Sequence, residues 1–186
     1  MRWLSIILIV TATFGATGSG LRADTEARLD DLFEALQQAQ TVSEARRVER
    51  RIWAHWLAYD GDSEVVDRHM RQGALAQRAG DADLAERSFE RAIEADPSYA
   101  EAWNRRATIR WMRGNFQGSI NDIAATLALE PRHFGALTGL GDILLRMDDL
   151  ERAADAYERA LAVNPHMDGV ERRLDWINVR LRDRRI

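Results

Sequence analysis

FGALTGLGDILLRMDDLERAADAYERALAVNPHM, residues 134–167, is the stretch that decides the fold. Leu137, Leu140 and Leu144 lie before Asp148-Asp149, and Leu150, Ala154, Tyr157 and Leu161 after it, at three- and four-residue steps. Such steps put apolar side chains on one face of a helix. Two helices joined by a tight acidic turn are therefore predicted. Pro165 ends the second helix, because proline cannot continue the hydrogen-bond ladder.

The same pattern is met twice more on moving towards the N-terminus. Pro131 and Pro97 precede Pro165 at intervals of 34 residues. With segments 66–99, 100–133 and 134–167 superposed, Gly73, Ala107 and Gly141 coincide, as do Ala85, Ser119 and Ala153. Phe89, Ile123 and Tyr157 share a position, and so do Ala92, Thr126 and Ala160. Turn chemistry recurs in phase at Gly80-Asp81, Gly114-Asn115 and Asp148-Asp149. A mid-helix glycine costs about 1 kcal/mol relative to alanine, so Gly73 and Gly141 imply two helices in close approach.

These segments resemble tetratricopeptide repeats. The third copy matches best, with Leu137-x2-Leu140-Gly141-x2-Leu144, Ala153-x3-Tyr157 and Pro165. The first keeps Gly73, Ala85, Phe89 and Pro97 but has His69 where an aromatic is usual. The second keeps Trp103 and Pro131 but departs at Arg106, Arg110, Ser119 and Ile123, which predicts looser packing of its second helix. The resemblance implies an all-α solenoid of antiparallel helix pairs and a role in holding other proteins. Motifs of this kind specify a fold and say little about the partner.

Residues 24–60 read as a helical hairpin without the repeat signature. Leu29, Leu32, Phe33 and Leu36 form one apolar face, Thr41 to Glu44 suggest a capping box, and Val48, Ile52, Trp53, Trp56 and Leu57 form a second stripe. Asp60-Gly61-Asp62-Ser63 is expected to break the hairpin and cap the array. Residues 168–186 read as an amphipathic capping helix, with Val170, Leu174, Ile177 and Leu181 inward and Arg172, Arg173, Arg180 and Arg182 outward. The C-terminal arginines read as a solvated face, with an acidic partner or anionic surface as the alternative.

Residues 1–23 have the pattern of a cleavable export signal. Arg2 precedes a mostly apolar run of 12 residues at 3–14, small polar residues follow, and Ala23 precedes Asp24. The run falls short of the roughly 20 apolar residues that span a bilayer, so no membrane segment is expected after cleavage, with an uncleaved anchor as the alternative. A periplasmic protein in a bacterial envelope is the expectation.

Composition narrows the chemistry. The chain has 46% hydrophobic and 30% charged residues with a net charge of −4, and gives no sign of a nucleic-acid partner. All 26 basic residues are Arg. No cysteine is present, which removes disulfides, thiolate nucleophiles, Cys-ligated zinc and an acylated anchor. His55, His69, His133 and His166 lack metal-ligand spacing and read as surface or interface residues. Gly135-x3-Gly139-x-Gly141 follows no strand, so it is neither a dinucleotide fingerprint nor a phosphate loop. No enzyme activity, cofactor, metal or small-molecule substrate is expected.

A concave groove lined by the first helix of each unit is the expected binding surface. By helical phase, its candidate contacts are Met70 and Gln77 in the first unit and Glu101, Asn104, Thr108 and Trp111 in the second. Thr138, Asp142 and Leu145 complete the set in the third. Met70, Trp111 and Leu145 would supply an apolar strip, and Asn104, Asp142 and Glu101 would meet a peptide backbone or basic side chains. Trp111 is the foremost candidate, since aromatic anchors dominate interfaces; burial under the N-terminal hairpin is its alternative. Some members of the family clamp a C-terminal carboxylate, but the matching positions here hold Met70, Ala74, Arg105, Gly135 and Gly139, which excludes that activity. Self-association through exposed apolar residues is the competing role.

Overall fold

A computed structural model describes residues 17–184. Among them are helices α1 (Thr17–Gln38), α2 (Val42–Leu57), α3 (Glu64–Ala79), α4 (Ala82–Ala95), α5 (Ala100–Met112), α6 (Phe116–Leu129), α7 (Phe134–Arg146), α8 (Leu150–Val163) and α9 (Asp168–Asp183), and no strand. The apolar run at residues 3–14 lies outside the described residues, and the expected cleavage point after Ala23 falls within α1. No described helix is long and apolar enough to cross a membrane.

Helices α3 to α8 pack as three antiparallel pairs, and each pair also contacts the next. Local sequence sets every boundary. Gly80, Gly114 and Asp148 adopt left-handed backbone at φ 79°, 75° and 61°. The residue after each caps the coming helix: Asp81, Asn115 and Asp149 accept from the N–H of Leu84, Gly118 and Arg152. At the other end Asp96, Glu130 and Asn164 are extended because a proline follows. Their side chains accept the N–H of Ser98, Arg132 and His166, two residues on.

Close approach accounts for the mid-helix glycines. A Cβ on Gly73 would lie 2.5 Å from the Phe89 ring, and one on Gly141 would lie 2.4 Å from Tyr157. In the second unit Ala107 faces the smaller Ile123, and Ser119 Oγ donates to the Ala107 carbonyl at 2.8 Å. The inner face of α6 is buried at Ser119, Asp122, Ile123 and Thr126, and Ser119 and Ile123 also border a cavity of about 210 Å³ on the side of the third unit. Arg106 and Arg110 hold that unit together. Arg106 makes a fork of hydrogen bonds to Asp122 at 2.9 and 2.8 Å, and Arg110 reaches Asp122 at 3.0 Å and Glu86 of α4 at 2.9 Å.

At the break Ser63 caps α3 by accepting the Val66 N–H, and the N-terminal hairpin packs on the later junctions as well as the first. It lies along the edge where each unit passes to the next. Tyr99 donates to the Leu57 carbonyl at the first junction, and Tyr59 donates to Asp96 there. At the second, Trp56 stacks on His133 with ring centres 4.0 Å apart, and Arg132 pairs with Asp30 at 2.7 Å. At the third, Gln37 donates to the carbonyls of Ala162 and Val163. Phe134, Val163 and Met167 share one apolar cluster with Leu29, Phe33, Leu36 and Trp56. The expected inward stripe of α9 is present, with Val170 and Ile177 buried and Leu174 and Leu181 packed beside them.

Candidate functional site

The first helices of the units leave two neighbouring cavities. One, of about 210 Å³, lies between α5 and α7 and is bordered by Asn104, Thr108, Trp111, Thr138 and Asp142. The other, of about 520 Å³, takes in Met70 and Gln77 of α3 together with Tyr99, just before α5, and Arg105 of α5. Seven of the nine residues picked from helical phase therefore border these two spaces. Leu145 is half-buried and packs against the C-terminal core, and borders neither.

Glu101 has to be corrected. Helical phase places it on the groove, but its side chain is buried and fully engaged. It accepts from Arg105 Nε at 2.6 Å, from Asn104 Nδ2 at 2.8 Å, and lies 3.2 Å from His133 Nε2. His133 Nδ1 accepts the Ala136 N–H and so caps α7, which leaves Nε2 as the nitrogen that carries the proton to Glu101. Burial pushes the Glu101 carboxyl up, but His133 and Arg105 together outweigh it and hold the group below its ordinary range. Glu101 is thus a structural link between units, not a groove contact. His133 is likewise not a surface histidine, being buried under Trp56.

The remaining polar groups are partly committed. Thr108 and Thr138 donate to the carbonyls of Asn104 and Phe134 within their own helices. Asp142 accepts from the Tyr157 hydroxyl at 2.6 Å through one oxygen, with Arg173 3.5 Å from the same atom. Burial, then that carboxylate, push the Tyr157 hydroxyl well above its usual range. Trp111 is 42% exposed at the rim and is not covered by the hairpin. Trp176 and Val179 of α9 are 48% and 46% exposed and lie one 34-residue period beyond Asp142 and Leu145. The same period would have found them had it been carried past the last proline.

Arg105 is the one cation at the positions of a carboxylate clamp, and its pairing with buried Glu101 holds it to its own helix. Among the described residues no group of three or more His, Asp or Glu is placed to hold a metal ion.

The geometry is that of an α-solenoid of repeated helix pairs with an open groove. Models of the tetratricopeptide repeat match residues 70–123 and 106–168. A TPR repeat-containing protein of Rhizobium etli is 35% identical over 140 residues, 74% of this chain and 67% of that protein. DnaJ homolog subfamily C member 3 of Mus musculus is 29% identical over 56% of this chain, which spans 21% of its length. The first TPR of Spaghetti (RPAP3) bound to an HSP90 peptide superposes with a TM-score of 0.62 at 22% identity, over 67% of this chain and 98% of that one. The chain belongs to the tetratricopeptide-repeat family. Domains of this family are protein–protein interaction modules, and its members are generally non-catalytic adaptors.

Proposed function

We propose that this protein is an adaptor or scaffold of the bacterial cell envelope that binds an extended segment of another protein in its concave groove. The observation that carries this reading is Trp111, a large aromatic left exposed at the rim of the cavity between α5 and α7. A small apolar recess beside an indole suits one medium-sized apolar side chain of an extended peptide. Asn104 and Asp142 at its border suit backbone N–H groups or a basic neighbour. The export reading rests on Arg2, the apolar run at 3–14 and the small residues before Asp24, and makes the periplasm the place of action. Self-association through exposed apolar residues such as Met112, Leu129 and Met147 is the competing role.

The test is capture from an envelope fraction by the immobilised protein, compared with Thr138→Arg, which fills the cavity, and Trp111→Ala. A partner retained by the wild type and lost by both variants, at unchanged helix content, supports groove binding. A partner retained equally by all three overturns it. Sedimentation over a hundredfold range of concentration decides the alternative, since a strict monomer removes self-association.

A further inference from the structure

Among the described residues, the start of the array leaves open a face that the later units largely bury. On α3, Val65, Arg68, Gln72, Leu75 and Ala79 lie along one stripe, and all five are exposed. Leu75, 63% exposed, is the most exposed large apolar residue described. One and two periods on, the same position holds Ile109 and Ile143, each 1% exposed. Ile109 is buried against Ala85 and Phe89 of the preceding unit. Among the described residues the stripe on α3 is therefore a stacking surface without its neighbour, because the hairpin runs along the edge of the array.

The next unit shows what a covering helix brings to such a stripe. There α4 runs antiparallel to α5: Arg106 lies 3.7 Å from Glu90, Arg110 pairs with Glu86, and Arg113 pairs with Asp83 and Glu86. The covering helix thus presents acids three and four residues apart beside small and apolar side chains. Carried back one period, this register sets Glu90 at the position of Gln72 and Glu94 at that of Arg68.

The leading stripe suits a helix of the same kind. Val65, Leu75 and Ala79 are apolar, Gln72 offers an amide, and Arg68 is a cation, with Arg71 and Arg78 exposed along the border. Arg71 reaches Asp67 only at 3.9 Å. Neither Arg68 nor Arg78 has a carboxylate within 4.0 Å among the described residues. A second copy of this face is a poorer occupant. Antiparallel two-fold pairing about Gln72 sets Val65 opposite Ala79, but it sets Arg68 opposite Ala76, Arg71 opposite Gly73 and Arg78 opposite Val66, so no arginine faces an acid directly.

We propose that the leading stripe of α3 docks an acidic amphipathic helix of a partner protein, which continues the array by one more layer. This surface does not rest on peptide binding in the groove; Thr138→Arg should leave it intact.

The probe is a synthetic peptide of residues 81–96, the stretch that covers the equivalent stripe on α5. It is stapled as a helix through positions 84 and 88, which helical phase sets on the side away from Glu86 and Glu90. Fluorescence anisotropy with the purified protein should show saturable binding. Leu75→Asp should weaken it at least tenfold and Arg68→Glu at least fivefold, and a Glu94→Arg peptide should recover most of the loss on the Arg68→Glu protein. Both sites are exposed, so the variants keep the fold, which circular dichroism checks. Absence of saturable binding, or binding by either variant as tight as by the wild type, overturns the proposal. A reversible dimer of the protein that Leu75→Asp abolishes also overturns it and gives the face to a second copy.

Discussion

In the third unit the crossing of α7 and α8 is made by Tyr157 lying over Gly141, with Leu140 and Ala156 beside it, all apolar apart from one hydroxyl. In the second, Ala107 and Ile123 take the crossing, and Arg106 and Asp122 stand where the third unit has Leu140 and Ala156. Both pairs close to the same antiparallel geometry and both bury their inner faces. The shape of a unit is set by the volume at the crossing and by the turn and cap residues. The polarity of the flanking pair is free to change, provided each buried charge finds its counter-charge.

The largest effect expected from breaking this contrast is at Tyr157. Tyr157→Ala empties the third crossing and should destabilise the protein by about 3–5 kcal/mol in urea unfolding. Its counterpart Ile123→Val removes one methyl and should cost about 1 kcal/mol. Equal losses at the two sites would show that the crossings do not differ in what they bury.

Next in size is Asp122→Ala, which leaves two guanidiniums facing a carboxylate that is no longer there. A loss of about 2–3 kcal/mol is expected, below the full value for a buried pair because Glu90 and Glu86 remain. Arg106→Leu combined with Asp122→Ala copies the flanking pair of the third unit, and should return stability to within about 1 kcal/mol of wild type. A double variant as unstable as the single one would mean that the charges determine the packing and are not merely tolerated by it.

These two units also show where reading the sequence succeeds and where it stops. Gly80, Gly114, Asp148 and the three prolines act through backbone conformation within a few residues, so their period reveals the helix pairs directly. Arg106 and Arg110 look like departures from the family pattern because their partners, Asp122 and Glu86, lie 16 and 24 residues away on other helices. The seat of the hairpin is hidden for the same reason. Tyr99, His133 and Met167 each precede a helix by one residue and face it from three different junctions, and no local pattern joins them. Glu101 has the phase of a groove residue, and only its contact with His133, 32 residues on, reveals that it is closed off.

That contact ties the second unit to the third and predicts a smaller, pH-dependent effect. The Glu101 carboxyl ionises more readily in the folded chain than in the unfolded one. Its contribution to stability is therefore complete above the ordinary carboxylate range and is lost as pH falls through its lowered folded value. Urea midpoints should decline on the acid side, and Glu101→Gln should flatten that limb while lowering the plateau at neutral pH. An acid limb of unchanged slope in Glu101→Gln would assign the decline to other carboxylates.

The smallest stability effect is expected where the two units present the same position to the groove with different surroundings. Trp111 and Leu145 are one period apart, yet Trp111 stands at the open rim and Leu145 leans into the cluster formed with Val170 and Ile177. Leu145→Ala should cost about 1–2 kcal/mol, since part of its side chain leaves an apolar contact. Trp111→Ala should change stability by no more than about 0.5 kcal/mol, as exposed sites commonly do, while removing the aromatic that a bound segment would meet. The pair thus separates packing from recognition at one position of the repeat. Should Trp111→Ala unfold the protein as readily as Leu145→Ala, the indole is holding α5 in place, and the groove loses its foremost contact.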